Sequence, residues 1–130
     1  MSKHHKLRLT LEKEGNKIWG RVNIEETLIF DSATTLPALE KKLRKALSEF
    51  ENLESVEFEY AYDLSVFFEK FSFLNQSKIA ELAGINPSLI RQYSSGHKQA
   101  STVQVAKIES AIHELGLQLK RVHLTSKATA

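Results

Sequence analysis

Amide, hydroxyl and guanidinium side chains cluster in the C-terminal half of the chain: Gln76, Asn86, Ser88, Arg91, Gln92, Ser95 and Lys98, with Leu89 among them. None is a nucleophile set beside a base, so the chemistry they suit is recognition of a polar, anionic surface. A glutamine amide bonds an adenine edge through two hydrogen bonds, a leucine touches a thymine methyl, and an arginine reads guanine or grips a phosphate. For Arg91 both roles stay open. Ser94, Ser95 and Lys98 suit backbone contacts, which position a protein without reading sequence.

Such groups need a rigid support, and the spacing predicts two short helices over Asn75–Gly96. Ile79, Leu82, Ala83, Ile85, Leu89, Ile90 and Tyr93 recur at helical intervals, interrupted at Gly84 and Asn86. Asn75 is placed to cap the first helix and Gly84 to end it in a left-handed turn. Asn86 caps the second helix, Pro87 follows where its missing N–H costs nothing, and Gly96 closes it. Two helices joined so tightly form a helix-turn-helix, whose second helix enters the major groove. By register Asn86, Ser88, Leu89 and Gln92 face outward in turn, with Arg91 alongside. One such helix contributes too little for tight binding. A homodimer with its reading helices roughly 34 Å apart on a palindromic double-stranded operator is therefore expected. A plain helical bundle is the competing reading.

Charge agrees with this division. Residues 1–60 hold ten Lys and Arg against eleven Asp and Glu, a net of −1; residues 61–130 hold eight against five, a net of +3. The modest positive excess falls where phosphate contacts require it. The 130 residues contain no cysteine, which excludes disulfides and thiolate metal sites. No apolar run approaches the roughly 20 residues of a membrane span, and the polar, basic start is no signal peptide. A cytoplasmic protein without membrane association is expected. His4 and His5 lack the carboxylate or cysteine neighbours of a metal site, so a loose terminal tail is expected there and no metal or cofactor.

Upstream, Leu7, Leu9 and Leu11 alternate with Lys6, Arg8, Thr10 and Glu12 as in a half-buried strand. Glu14, Gly15 and Asn16 supply a turn. Ile18, Gly20, Val22 and Ile24 then alternate against Trp19, Arg21 and Asn23, and Thr27–Phe30 adds a third strand after Glu25 and Glu26. Thr34 or Thr35 caps a helix with Pro37 in its first turn and Leu36, Leu39, Leu43, Ala46, Leu47 and Phe50 along one stripe. Its polar face carries Lys41, Lys42, Arg44 and Lys45, either a solvated face or a partner contact. A fourth strand follows at Ser55–Tyr62, with Glu57 and Glu59 on a face that either meets water or a basic partner. These four residues, Lys41, Arg44, Glu57 and Glu59, are the candidate partner-binding set. Asp63 or Ser65 caps the next helix, and Phe67, Phe68, Phe71 and Phe73 are expected to form core beneath the reading helices. Ser101 or Thr102 caps a last helix ending at Gly116, and alternation over Leu117–Leu124 allows a short strand paired within or between chains. His113 is expected to be a surface or boundary residue rather than a ligand, and Thr125–Ala130 is expected to fray.

Leu64–Leu115, with Gln76, Ala80, Ala83, Gly84, Ile90 and Gly96 in register, resembles the phage-repressor (Cro/C1-type) helix-turn-helix family. That resemblance implies that Gln76, Ser88 and Gln92 occupy groove-facing positions. With the strand, strand, strand, helix, strand order before it, Lys6–Leu115 resembles the HicB antitoxins, whose partial ribonuclease-H-like domain binds the HicA toxin and whose C-terminal domain binds the operator. HicB proteins usually carry a longer loop between the second and third strands, where this chain has only Glu25 and Glu26. The expected fold class is α+β: a small antiparallel sheet with one covering helix (β-β-β-α-β, residues 1–62), followed by an all-α Cro/C1-type helix-turn-helix domain (residues 63–130).

The resemblance implies an antitoxin that neutralises a small basic, HicA-like, mRNA-cleaving toxin and represses its own operon. The alternative is a stand-alone regulator whose N-terminal domain senses a ligand or dimerises. Ribonuclease H chemistry needs convergent carboxylates around metal ions; Asp31 and Glu40 flank the third strand and helix without such convergence, so no enzymatic activity is expected.

Overall fold

The computed structural model describes residues 4–127. They form β1 (His4–Glu14), β2 (Lys17–Ile24), β3 (Thr27–Ala33), α1 (Leu36–Glu51), β4 (Ser55–Tyr62), α2 (Leu64–Lys70), α3 (Gln76–Ala83), α4 (Pro87–Ser95) and α5 (Thr102–Lys120). The strands make one sheet in the order β3-β2-β1-β4. Gly15, with φ of 63°, takes the left-handed position that the tight β1–β2 turn requires.

Period-two alternation separates the two faces of this sheet. Leu9 lies opposite Val22 and Leu11 opposite Gly20, while Val22 lies opposite Ile29, so one face is apolar. Helix α1 covers it with Leu39, Leu43 and Leu47, all fully buried. A Cβ on Gly20 would stand 2.9 Å from Leu39 Cδ2 and 3.1 Å from Leu9 Cδ1, so the bare backbone there is what lets the helix sit so close. Thr35 caps α1 by accepting from the Ala38 amide, with Pro37 in the first turn.

The expected fold class is corrected in two respects. The sheet is mixed: β1 pairs antiparallel to β2 but parallel to β4. Helix α1 carries the chain back to the end of the sheet from which β3 started, so β4 must run in the direction of β3 and β1. Nor does the chain close with a separate all-α Cro/C1-type helix-turn-helix domain; it is an α+β fold with a four-stranded mixed sheet and five helices. The helices after β4 are tied to the sheet where they begin. Val66 of α2 belongs to the sheet's core with Leu9, Leu11 and Phe58. The Asp63 amide donates to Leu11 O at 2.8 Å, the Lys13 amide to Asp63 Oδ2 at 3.0 Å, and Lys13 pairs with Glu69 at 2.6 Å. A second apolar cluster, Phe68, Ile79, Ala80, Ile85, Ile90, Tyr93 and Ile108, joins α2–α5.

Smaller differences have local causes. Strand β1 already includes His4 and His5, which pair with Ser55 and Val56, so the expected loose start is strand there; residues 1–3 and 128–130 lie outside those described. Helix α5 runs through Gly116 to Lys120 and no strand forms over 117–124. A helix satisfies those backbone groups internally, whereas a strand without a neighbour would not. Phe50 and Phe73, expected in apolar interiors, are 75% and 80% exposed.

Candidate nucleic-acid interface

Capping chemistry sets the angle of the two central helices. Asn75 accepts from the Lys78 amide at 3.1 Å to begin α3. Gly84, with φ of 70°, ends it: its amide donates to Glu81 O at 3.2 Å and that of Ile85 to Ala80 O at 2.9 Å. This paired closure satisfies carbonyls that a helix end leaves open and drives Ile85 into the core. Asn86 then accepts from the Ser88 amide at 2.8 Å and Pro87 begins α4. Fully buried Ala80, with no side chain beyond Cβ, lies in the core shared by both helices together with Ile90 and Tyr93.

Burying Ile90 and Tyr93 turns the opposite side of α4 outward. Ser88, Arg91, Gln92 and Ser95 are exposed there, with Lys98 just beyond the helix. Arg91 has no ion-pair partner among the described residues, and the side-chain amide of Gln92 has no hydrogen-bond partner among them. Lys98 is held by its own amide, which donates to Gln92 O at 3.3 Å. Between Glu81 and Glu109 the chain has no carboxylate side chain, against Arg91, Lys98 and Lys107. The surface therefore offers uncompensated positive charge and amide donors on one rigid element.

Some expected contacts are used within the fold instead. Leu89 is half-buried and packs on the helical core, not outward as its register suggested, because α4 needs a third apolar anchor beside Ile90 and Tyr93. The side chain of Asn86 is occupied by capping. Gln76 Nε2 donates to Ser94 Oγ at 2.9 Å, bracing the start of α3 against α4 and leaving its carbonyl oxygen for a ligand. The Ser95 hydroxyl bonds Gln92 O at 3.1 Å and meets His97 Nδ1 at 2.9 Å. Exposed His97 was not singled out from sequence; its position directly after the helix-ending Gly96 was the available signal.

The candidate partner-binding residues do not come together. Glu57 and Glu59 lie on the sheet face away from α1, where Glu59 pairs with Arg8 at 3.1 Å. Arg44 sits on the covered side, donating to Val56 O at 2.6 Å with its guanidinium 4.5 Å from the Phe58 ring centre, and so fastens α1 to β4. Lys41 remains exposed on α1. The uncovered sheet face instead presents Trp19, Leu28 and Phe30 beside a groove of about 420 Å³ that Thr10, Glu12 and Arg21 also line. The Trp19 and Phe30 rings lie 6.3 Å apart. This patch was legible in the alternation that put Trp19 on the polar side of β2.

On the other face, the Tyr60 hydroxyl donates to Glu40 of α1. Burial, reinforced by that hydrogen bond and by the Glu40 charge, pushes the Tyr60 hydroxyl up to about 12. Burial and then Glu40 also raise Tyr62. Among the described residues no group of three or more His, Asp or Glu could hold a metal ion, and no helix is long and apolar enough to cross a membrane. No protein-family model, curated protein or solved structure matches the chain.

Proposed function

We propose that the chain is the antitoxin of a toxin–antitoxin pair, a repressor that reads its own operator with α4 and holds a small basic toxin through its sheet. The observation that carries the DNA-binding half is the row of Arg91, Gln92, Ser88 and Ser95 on α4, exposed and set in a stretch without carboxylates. Gln92 reads a base edge, Arg91 reads guanine or holds a phosphate, and Lys98 neutralises the backbone. Gln76 and Ser94, bonded to each other, buttress the helix and add contacts at its side. Two copies place two such helices on a palindrome.

The toxin-binding half is supported by the resemblance to HicB antitoxins and by the uncovered Trp19, Leu28 and Phe30 face, since contiguous exposed apolar patches mark interaction surfaces. One observation favours the second reading, a stand-alone regulator: the groove beside Trp19 lies within the few-hundred-Å³ range of small-ligand pockets. Co-expression with the neighbouring reading frame separates the two. A basic product of about 60–90 residues that co-purifies with the chain supports the antitoxin; with no such partner, the regulator reading replaces it. Titration of operator and random DNA at several salt concentrations tests the first half, and equal affinity for both rejects it.

A further inference from the structure

We propose that α5 and the end of α3 form the surface on which a second copy of this chain docks, α5 against α5 in antiparallel orientation. The proposal rests on the dimeric reading above and names the face that makes it. Val103, Lys107, Ser110, Glu114 and Leu117 recur at alternating intervals of four and three residues, the spacing that keeps one seam of a helix toward a neighbouring helix. That seam does not face the chain's own core, which α5 reaches through Ile108 and Ala111. Its first four residues, Val103 to Glu114, line a groove of about 650 Å³ with Leu82, Ala83, Ala106 and the core-side Ala111. Val103 is 63% exposed and Leu82, which lines the same groove, 49%; Leu117, one turn beyond Glu114, is 51% exposed.

Charge identifies the occupant. A two-fold axis at Ser110 sets Val103 of one copy against Leu117 of the other, and Lys107 beside Glu114 twice over. An interface of this kind uses one patch on both subunits, so the patch must be complementary to itself. Lys107 has no ion-pair partner among the described residues, and Glu114 accepts only a 3.3 Å hydrogen bond from Gln118. Both charges are exposed and available to a partner. Ser110 and Ala106 at the centre allow the helices to approach closely, and Val103 and Leu117 close the two ends.

Sedimentation equilibrium of the full chain without DNA tests this. The unaltered chain is expected to be a dimer at micromolar concentration. Lys107→Glu and Glu114→Lys, each of which sets like charges against one another twice in the dimer, should each weaken association at least about tenfold. The double variant Lys107→Glu with Glu114→Lys exchanges the charges and should restore it, a result that lost folding cannot imitate. A monomeric unaltered chain, or a dimer that neither single variant weakens, overturns the proposal, as does a double variant no tighter than the singles. DNA is absent throughout, so these outcomes stand apart from the α4 assignment, which Gln92→Ala tests.

Discussion

Two outward surfaces of this protein, the uncovered sheet face and the exposed side of α4, handle charge in opposite ways. On the uncovered face of the sheet, charges are matched across strands: Arg8 with Glu59 at 3.1 Å and Arg21 with Glu12 at 2.7 Å, around the apolar Trp19, Leu28 and Phe30. On α4, the side chains of Arg91 and Gln92 are exposed and have no ion-pair or hydrogen-bond partner among the described residues. A surface whose ions are already paired and whose centre is apolar suits another protein, where unpaired interfacial charges would be costly to desolvate. A surface of unpaired cations and amides suits a polyanion, which supplies the missing partners and releases counterions as it binds. The same residue types therefore do different work according to whether a neighbouring strand or helix supplies the opposite charge.

That contrast can be broken at several points. The largest effect is expected at the shared support of the α4 surface: Ile90→Ala, at a fully buried position, should lower stability by about 2–5 kcal/mol in chemical denaturation and abolish DNA binding with it. An unchanged denaturation midpoint would show that α4 is not held by its apolar side. Next, Gln92→Ala should reduce discrimination between operator and random DNA by about 1–3 kcal/mol, without altering the fold. Equal losses on both DNAs in a binding titration would remove Gln92 from base reading. Lys98→Ala should instead weaken all sequences alike and reduce the salt slope by about one ion; a sequence-dependent loss would reverse that assignment.

On the sheet the effects are smaller. Arg8→Ala removes a solvent-exposed pair and should change the unfolding free energy by less than about 1 kcal/mol, with no effect on DNA affinity. A loss of DNA affinity would erase the proposed division between the surfaces. The smallest effect concerns alkaline pH. Folding raises the Tyr60 hydroxyl from about 10 to about 12, so the folded state holds that proton more tightly than the unfolded chain. The associated stability is complete below pH 10 and is lost as pH rises through about 12. Because Tyr60 is partly exposed, solvent screening reduces it to a fraction of the full linkage value. Tyr60→Phe should flatten this alkaline decline in thermal unfolding, and an identical decline in the variant would assign it to other groups.

Local signals carried much of the architecture. Alternation at Leu7, Leu9, Leu11 and at Ile18, Val22, Ile24 marks strands because a pleated strand exposes successive residues to opposite faces. Asn75, Gly84, Asn86 and Gly96 mark helix ends because a helix terminus must satisfy its open backbone groups within a few residues of sequence. The positions of α3 and α4, and the polar row on α4, follow from those signals.

What the sequence by itself determined is thus what short-range chemistry decides: turns, caps, periodicity, and which residues of α4 are polar. Tertiary structure alone decided the partners. It ran β4 parallel to β1, placed Val66 of α2 in the sheet's core, turned Leu89 inward, joined Gln76 to Ser94 and used Arg44 to fasten a helix. Contacts between residues far apart in the chain depend on which elements pack together, and spacing along a strand or helix carries no record of its neighbour. Whether a charge meets its opposite inside the fold or remains for another molecule is settled only there.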